Sequence, residues 1–322
     1  MTRNAGRSRS ARVTALAKIN LDLRILARRP DGFHELRTIF QTISLADSIE
    51  IEFTPGARTA IELEDGMNIP GNLVLRAAEC VMEATRARGT VRMRLTKKIP
   101  MGSGLGGGSS DAAAVLLALP ALIGRQLPME TLCRMGGSLG SDVPFFLLGG
   151  AAAGFGRGTE LVPLPDPPVR HAILIAPGIH SDTRAAYAAL SPGLTTESQQ
   201  NKIVSFQSLT WELRASGVGS NDFEPVVFRQ HRRLAALKKA LAVAGASSAM
   251  MTGSGSALFG LFPTRREADE GLGRLDEANA LREGDKVFRV SLVSRARYRA
   301  LWSSALAGHV VPQSWPPGSR YI

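Results

Sequence analysis

Cysteine is almost absent from this chain: Cys80 and Cys133 are the only two among 322 residues, too few and too unpatterned for a disulfide framework. A reducing, cytoplasmic setting is the simplest reading. Histidine is equally thin, with five scattered residues that never reach metal-ligand spacing, so no zinc site is expected. No run approaches the roughly 18 uninterrupted apolar residues of a membrane helix, so no membrane partner is expected. Aromatics make up only 6%, with no basic stripe of interleaved stacking side chains, which argues against nucleic acid as a partner. Acids are the minority charge, and the formal net charge is +11. Such an excess favours anionic partners such as nucleotides and phosphates. Part of it is uninformative, because Arg3, Arg7, Arg9 and Arg12 belong to a Gly/Ser/Arg-rich start. That start lacks an apolar core, so residues 1–12 are expected to be a disordered basic tail rather than a secretory signal.

The remaining length suits two domains, each with its own core. Val13, Ala15, Ala17, Ile19, Leu21, Leu23 and Ile25 alternate, which predicts a strand with one buried face and Lys18, Asn20 and Asp22 together on the other. Strands are also expected at Thr38–Leu45, Ser48–Phe53 and Val91–Leu95. A helix is expected from the N-cap Asn72 to about Arg88, closed by Gly89. The prolines between Pro163 and Pro168 suggest a linker. Beyond it the pattern gives a strand at His171–Ala176, a long helix over Phe223–Val243 and strands flanking Gly253–Gly255. A helix over Arg265–Asn279 and a strand over Lys286–Leu292 follow. This mixture argues for two α+β domains rather than a doubly wound sheet. They are expected at residues 13–165 and 166–306, with an irregular tail over 307–322.

The segment Pro100-Met101-Gly102-Ser103-Gly104-Leu105-Gly106-Gly107-Gly108-Ser109-Ser110 packs five glycines between a predicted strand and the apolar helical run Ala112–Leu119. Glycine lets backbone N–H groups approach an anion without a Cβ clash, and a helix N-terminus favours negative charge. Ser109 and Ser110 are placed to cap that helix. No lysine follows the last glycine, which excludes a Walker A loop. A literal GxGxxG is present at Gly102, Gly104 and Gly107, but the position about twenty residues on is Leu127, not an acid, so a dinucleotide site is disfavoured. The remaining alternative is a ligand-free connector.

The segment Pro100–Ser110 resembles the second motif of the GHMP kinases, the superfamily of galactokinase, homoserine kinase and mevalonate kinase. Ala17-Lys18-Ile19-Asn20-Leu21 looks like the first motif and Thr252-Gly253-Ser254-Gly255-Ser256 like the third, in the same order and spacing. Four stretches narrow the resemblance to the 4-diphosphocytidyl-2-C-methyl-D-erythritol kinases: Ala17–Leu21, Arg29–Glu35, Gly140–Pro144 and Asn221–Pro225. The resemblance implies an N-terminal domain with a left-handed βαβ crossover, a C-terminal ferredoxin-like domain, and a cleft between them. It implies transfer from ATP, with Mg²⁺, to the 2-hydroxyl of a cytidine diphosphate-linked methylerythritol, by a monomer or weak homodimer. Two alternatives stay open here: another alcohol kinase of the superfamily, and a catalytically silent nucleotide- or nucleic-acid-binding protein.

Asp142 resembles the family's catalytic base, against the plainer reading of a turn or capping aspartate. Lys18 resembles the lysine that keeps that aspartate ionised and helps bind phosphate; the plainer reading is an exposed strand lysine. Asn20 is the expected hydrogen-bond partner that orients the substrate hydroxyl. Phe33 and Tyr187 are the expected rings around cytosine, with the main chain of His34 on the base edge; ordinary packing is the alternative. Phe33 stands where the family often has tyrosine. Thr252, Gly253 and Ser254 are expected to shape the loop or touch substrate phosphate, and the hydroxyl of Ser109 or Ser110 to meet Mg²⁺. Asn221 and Asp222 match the narrower family but receive no chemical role.

Overall fold

A computed structural model describes residues 7–168, 170–190 and 218–310. Strand β1 (Arg9–Arg28) pairs antiparallel with β2 (His34–Pro55) along almost its whole length, forming a hairpin whose turn is the Arg29–Phe33 segment. In the first sheet β2 also pairs with β4 (Gly89–Thr96) and β5 (Ala151–Gly156). β3 (Ala60–Glu64) lies parallel to β4, joined to it through helix α1 (Leu73–Thr85) as a βαβ crossover, and β6 (Glu160–Pro163) extends the far edge. Helices α2 (Gly107–Ile123), α3 (Met129–Leu139) and α4 (Val143–Leu148) pack with α1 over one face. The second sheet is antiparallel, in the order β10 (Lys286–Ser291), β7 (His171–Ala176), β9 (Leu258–Phe262), β8 (Ser248–Met251). Around it lie α5 (Thr183–Leu190), α6 (Glu224–Gln230), α7 (Arg232–Val243) and α8 (Arg265–Glu277). Among the described residues no helix is long and apolar enough to cross a membrane.

Strand β1 passes through three cores. Val13 and Ala15 pack under the helices of the first domain, Ala17, Ile19 and Leu21 against the second sheet, and Leu23 and Ile25 against the helices beyond it. Register shifts interrupt its pairing between Leu16 and Lys18 and between Asn20 and Asp22. A bulge turns the next side chain to the other face. Simple alternation therefore fails in two respects. Both faces are buried from Ala15 to Leu23, and Asp22 leaves the company of Lys18 and Asn20 for Arg37 and the Ser220 amide.

Several other expectations are corrected. Arg9–Arg12 are not tail: they pair with Phe53–Glu50, and Arg12 Nε reaches Ser48 Oγ at 3.0 Å. The two strands expected over Thr38–Phe53 are one, because Ala46 and Asp47 pair with Leu16 and Ala15 and β2 continues past the register shift without a turn. Helix α1 ends at Arg86, whose φ of 51° breaks it before Gly89, and Gly89 opens β4 instead. The helix expected over Phe223–Val243 is split by non-helical backbone at His231. The Pro163–Pro168 stretch is tied down, with Asp166 accepting from the Arg295 amide at 2.9 Å. The domain border at residue 306 also moves. Helix α9 (Arg295–Ala305) buries Tyr298 and Trp302 in the first domain's core, and the Tyr298 hydroxyl donates to the Phe146 carbonyl. Residues 1–6 and 311–322 of the expected tails lie outside the described residues.

One buried ion cluster fixes the start of α2. Lys97 Nζ lies 2.5 Å from Asp47 on β2 and 2.6 Å from Asp111 on α2. Asp47 also accepts from the Lys98 and Ile99 amides, at 2.5 and 2.8 Å. Asp47 thus has three donors, and Asp111 is the second carboxylate on a single ammonium. Burial works against the Lys97 charge, but the two carboxylates outweigh it and hold its pKa above the ordinary lysine value. Burial pushes the Asp111 carboxyl up to about 7, against the pull of Lys97 and helped by the charge of Asp47. A raised folded-state pKa means that the folded chain binds this proton more tightly than the unfolded chain. The stabilisation is complete below the ordinary carboxylate range and lost as pH rises through about 7. Thermal midpoints recorded by circular dichroism should fall between about pH 5 and about pH 8, and Asp111→Asn should flatten that slope. An unaltered slope in the variant would remove Asp111 as its source.

Candidate active site

A cleft of about 1250 Å³ opens where the β1–β2 hairpin turn, the glycine segment after β4, α5 and the turn between β8 and β9 meet. Lys18 and Asn20 reach it from β1, and Asp142 reaches it from the residue preceding α4. Lys18 Nζ sits 3.3 Å from Asp142 Oδ2, with the lysine side chain 4% and the aspartate 32% exposed. The exposed-strand reading of Lys18 is thereby excluded. The capping reading of Asp142 also fails, because its side chain makes no bond to the α4 amides. What remains is a carboxylate facing the cleft, held by a buried ammonium that also lies 5.5 Å from the Phe40 ring centroid.

Asn20 directs its amide into the protein. Its Oδ1 accepts from Lys18 Nζ at 2.8 Å, Gly253 N at 3.0 Å and Thr252 Oγ1 at 3.2 Å, and its Nδ2 donates to Thr38 Oγ1 at 2.7 Å. It therefore aims the lysine, with its Oδ1 engaged by three donors and one of its two Nδ2 N–H groups given to Thr38. Thr252 is fully buried and its Oγ1 accepts from the Asn20 backbone N at 3.0 Å, so it shapes the turn from within. Ser254 lines the cleft with its hydroxyl 2.7 Å from that of Thr183, and Gly253 lines the cleft beside it.

The eleven-residue glycine segment divides by what each residue does. Gly102 and Gly104 line the cleft. The Leu105 carbonyl accepts from Lys18 N at 3.0 Å, and the Ser103 carbonyl accepts from Ala257 N at 3.1 Å. A Cβ on Gly104, whose φ is +79°, would overlap the Thr252 carbonyl oxygen. Gly106, at φ +73°, would place one 2.8 Å from the Phe146 ring. These glycines are thus required by protein backbone and core as much as by any ligand. The N-cap of α2 is Gly106, not a serine, and no side chain caps the helix. An uncapped first turn leaves its N–H groups for an anion. Ser110 is buried and donates to the Leu16 carbonyl at 2.7 Å, and Ser103 Oγ donates to Pro100 O at 2.6 Å. Ser109 is half-buried with its Oγ near Gly140, and Met101 and Gly108 are exposed.

At the other end of the cleft, the rings expected to hold a base each carry a protein partner. Arg157 stacks over Phe33 at 3.4 Å from the ring centroid, and Phe33 is 47% exposed. The His34 ring stacks on Tyr187 at 4.7 Å, and Phe223 meets Tyr187 edge-on at 4.8 Å. Burial lowers the His34 pKa and Arg28 adds to the effect, so its ring is neutral near pH 7. Burial, with a contribution from the Asp142 charge, pushes the Tyr187 hydroxyl up to about 12. Sequence reasoning missed Arg157, although its place between Gly156 and Gly158 marks a tight turn. It also missed His180, which lines the cleft near Gly102 and has no pattern around it. Asp111 was readable as the one acid opening an otherwise apolar helix. Among the described residues no three His, Cys, Asp or Glu side chains gather as a metal site.

Comparison with known proteins agrees with this geometry. Residues 72–150 match the GHMP kinases N terminal domain and residues 203–281 the GHMP kinases C terminal domain. A 4-diphosphocytidyl-2-C-methyl-D-erythritol kinase from Solibacter usitatus is 61% identical over 318 residues, 98% of each chain. Its counterpart from Moorella thermoacetica is 40% identical over 271 residues, covering 82% of this chain and 94% of its own. A crystal structure of 4-(cytidine 5'-diphospho)-2C-methyl-D-erythritol kinase superposes with a TM-score of 0.71 at 36% identity, covering 87% of this chain and 98% of that one. A homoserine kinase from Cytophaga hutchinsonii shares the fold at 22% identity, with a TM-score of 0.66 over 92% of this chain and 97% of its own. With the ion pair, the two glycine turns and the aromatic end gathered in one cleft, the chain belongs to the GHMP kinases, in the family of the 4-diphosphocytidyl-2-C-methyl-D-erythritol kinases.

Proposed function

We propose that this chain transfers the γ-phosphoryl group of ATP to the 2-hydroxyl of 4-diphosphocytidyl-2-C-methyl-D-erythritol, a step in non-mevalonate isoprenoid precursor synthesis. The observation that carries this reading is the Lys18–Asp142 pair, 3.3 Å apart at the cleft wall and flanked by both glycine turns. Asp142 accepts the proton of the 2-hydroxyl as its oxygen attacks the γ-phosphorus. Lys18 holds that carboxylate in place and offsets negative charge on the transferring group. Asn20 aims the ammonium. The uncapped start of α2 and the backbone around Gly102 and Gly104 receive the phosphates of ATP.

Magnesium fits this site as a nucleotide-borne ion. No carboxylate cage is present among the described residues, and Ser110 is committed to the Leu16 carbonyl. Ser109 is the hydroxyl of that pair that would meet the ion. When bound, Mg²⁺ neutralises the β- and γ-oxygens. Both cysteines are free thiols, which suits a reducing cytoplasm.

Incubation with Mg-ATP and 4-diphosphocytidyl-2-C-methyl-D-erythritol should yield ADP and the 2-phosphate, read by phosphorus NMR. Turnover of homoserine or mevalonate instead would move the assignment within the superfamily. Asp142→Asn should lower turnover by about two to four decades while ATP affinity barely changes. Lys18→Met should also lower turnover, and the double variant should lose less than the two losses combined, because the residues act as a unit. An Asp142→Asn enzyme that keeps more than about a tenth of wild-type turnover would exclude the base role.

Tyr187→Ala should weaken binding of the cytidine substrate by roughly one to two decades and ATP far less, since base stacking is worth about 1–3 kcal/mol. Calorimetry with each ligand separates the cases. Equal losses would place Tyr187 in the packing of His34 and Phe223 instead.

A further inference from the structure

We propose that Asn221 is a positioning residue for the reacting centre, acting on Lys18 and Asp142 through the turn between β8 and β9. The segment around it runs beside β1: Gly219 N donates to Leu21 O at 2.8 Å, Leu23 N to Ser220 O at 2.8 Å, and Asp222 N to Leu23 O at 3.0 Å. The Asp222 carboxylate completes the attachment by accepting from Ile25 N at 2.8 Å. Asn221 is thereby held against the strand that carries Lys18 and Asn20, and its side chain is buried.

From that anchorage the side-chain amide reaches the glycine turn. Nδ2 donates to the carbonyls of Met251 and Gly253, both at 2.8 Å, and Oδ1 accepts from Phe223 N at 2.9 Å. A primary amide has two N–H donors, and here they hold the carbonyls at the end of β8 and within the turn. Gly253 is the joint between them and the centre. Its φ is +59°, its carbonyl belongs to Asn221, and its N–H donates to Asn20 Oδ1 at 3.0 Å. Asn20 Oδ1 in turn accepts from Lys18 Nζ at 2.8 Å, and Lys18 pairs with Asp142. Releasing the Gly253 carbonyl lets the turn rotate about its glycine, which withdraws the N–H from Asn20 and lets the ammonium drift. No part of Asn221 touches the reacting atoms, so its effect is on placement. Misplacement by about 1 Å is worth about a hundredfold in rate.

This inference rests on the reading of Lys18, Asn20 and Asp142 as the reacting centre, and the experiment keeps the two apart. Asn221→Asp preserves shape and the acceptor for Phe223 N but sets a carboxylate oxygen against two carbonyls. At about pH 8, kcat should fall about tenfold or more, with KM for ATP within about twofold of wild type. Lowering the pH restores a donor on the aspartic acid, so the ratio of variant to wild-type kcat should rise toward about pH 5. A structural role alone would lower the thermal midpoint without that ratio change at a temperature where both proteins are folded. If Asn221→Asp does not fold, Asn221→Ser, which keeps one donor and does not titrate, takes its place and is read by a fall in kcat at unchanged KM for ATP and by the double variant below.

Combining the change with Asn20→Ala closes the test. If Asn221 acts through Asn20, the double variant should lose no more kcat than Asn20→Ala alone. Losses that multiply in full would overturn the relay while leaving the centre intact. An Asn20→Ala enzyme with wild-type kcat would instead overturn the reading of the centre itself.

Discussion

A lysine ammonium buried away from water needs an anion and hydrogen-bond acceptors, or the fold must bear its desolvation. The architecture of the cleft follows from meeting that need at Lys18. Asp142 supplies the anion from the head of α4, and Asn20 supplies the acceptor from the same strand. Asn20 can do so only because Thr38, Thr252 and Gly253 hold the rest of its amide. One charge thus gathers a hairpin, a helix start from the first domain and a turn from the second. The carboxylate paired with it faces the cleft, where a reactant hydroxyl can reach it.

Close approach of backbone to backbone is the second constraint. The glycine segment after β4 lies against the turn between β8 and β9, with Gly104 pressed on the Thr252 carbonyl and Ala257 N bonded to Ser103 O. Its other side meets the Phe146 ring, whose own carbonyl is held by Tyr298 of α9. A loop this rich in glycine would carry a large conformational entropy if left alone. Here its shape is imposed by rigid neighbours on both sides. The shape of this glycine loop is therefore a property of both domains, joined by the apolar layer in which Ala17, Ile19 and Leu21 pack against the second sheet.

Lys18, Lys97 and Asp22 lie in buried ion clusters that show different solutions to one problem. Lys18 has a single aspartate and an asparagine. Lys97 is shared by two aspartates, so burial leaves a surplus carboxylate in Asp111. Asp22 is fully buried, and burial raises its pKa against the opposing pull of Arg37 and Arg24. Only the first cluster faces the cleft. The second ties the start of α2 to β2, and the third ties β1 to the segment carrying Asn221. Charge type alone does not separate the cleft pair from its buried counterparts; exposure of one partner to the cleft does.

The members of the candidate centre were legible in the sequence: glycine-serine composition marked the loop, and the resemblance to the GHMP kinase motifs singled out Lys18 and Asp142, which the fold brings to one cleft. Strand periodicity likewise gave β7, β9 and β10, where a strand packs without bulges on one or both faces. Local pattern failed at β1, where bulges pass one strand between three cores, and at α9, whose burial comes from a core nearly the whole chain away. It also failed to say which serine is free, since Ser110 is committed to Leu16, 94 residues distant. Nor did local pattern show the partners of the Asn20 side chain, whose Oδ1 accepts from Gly253 N across 233 residues. Sequence by itself determined which groups are able to react. Tertiary structure alone decided which of them are left free to do so, because a buried polar atom must be satisfied by whatever distant segment the fold brings beside it.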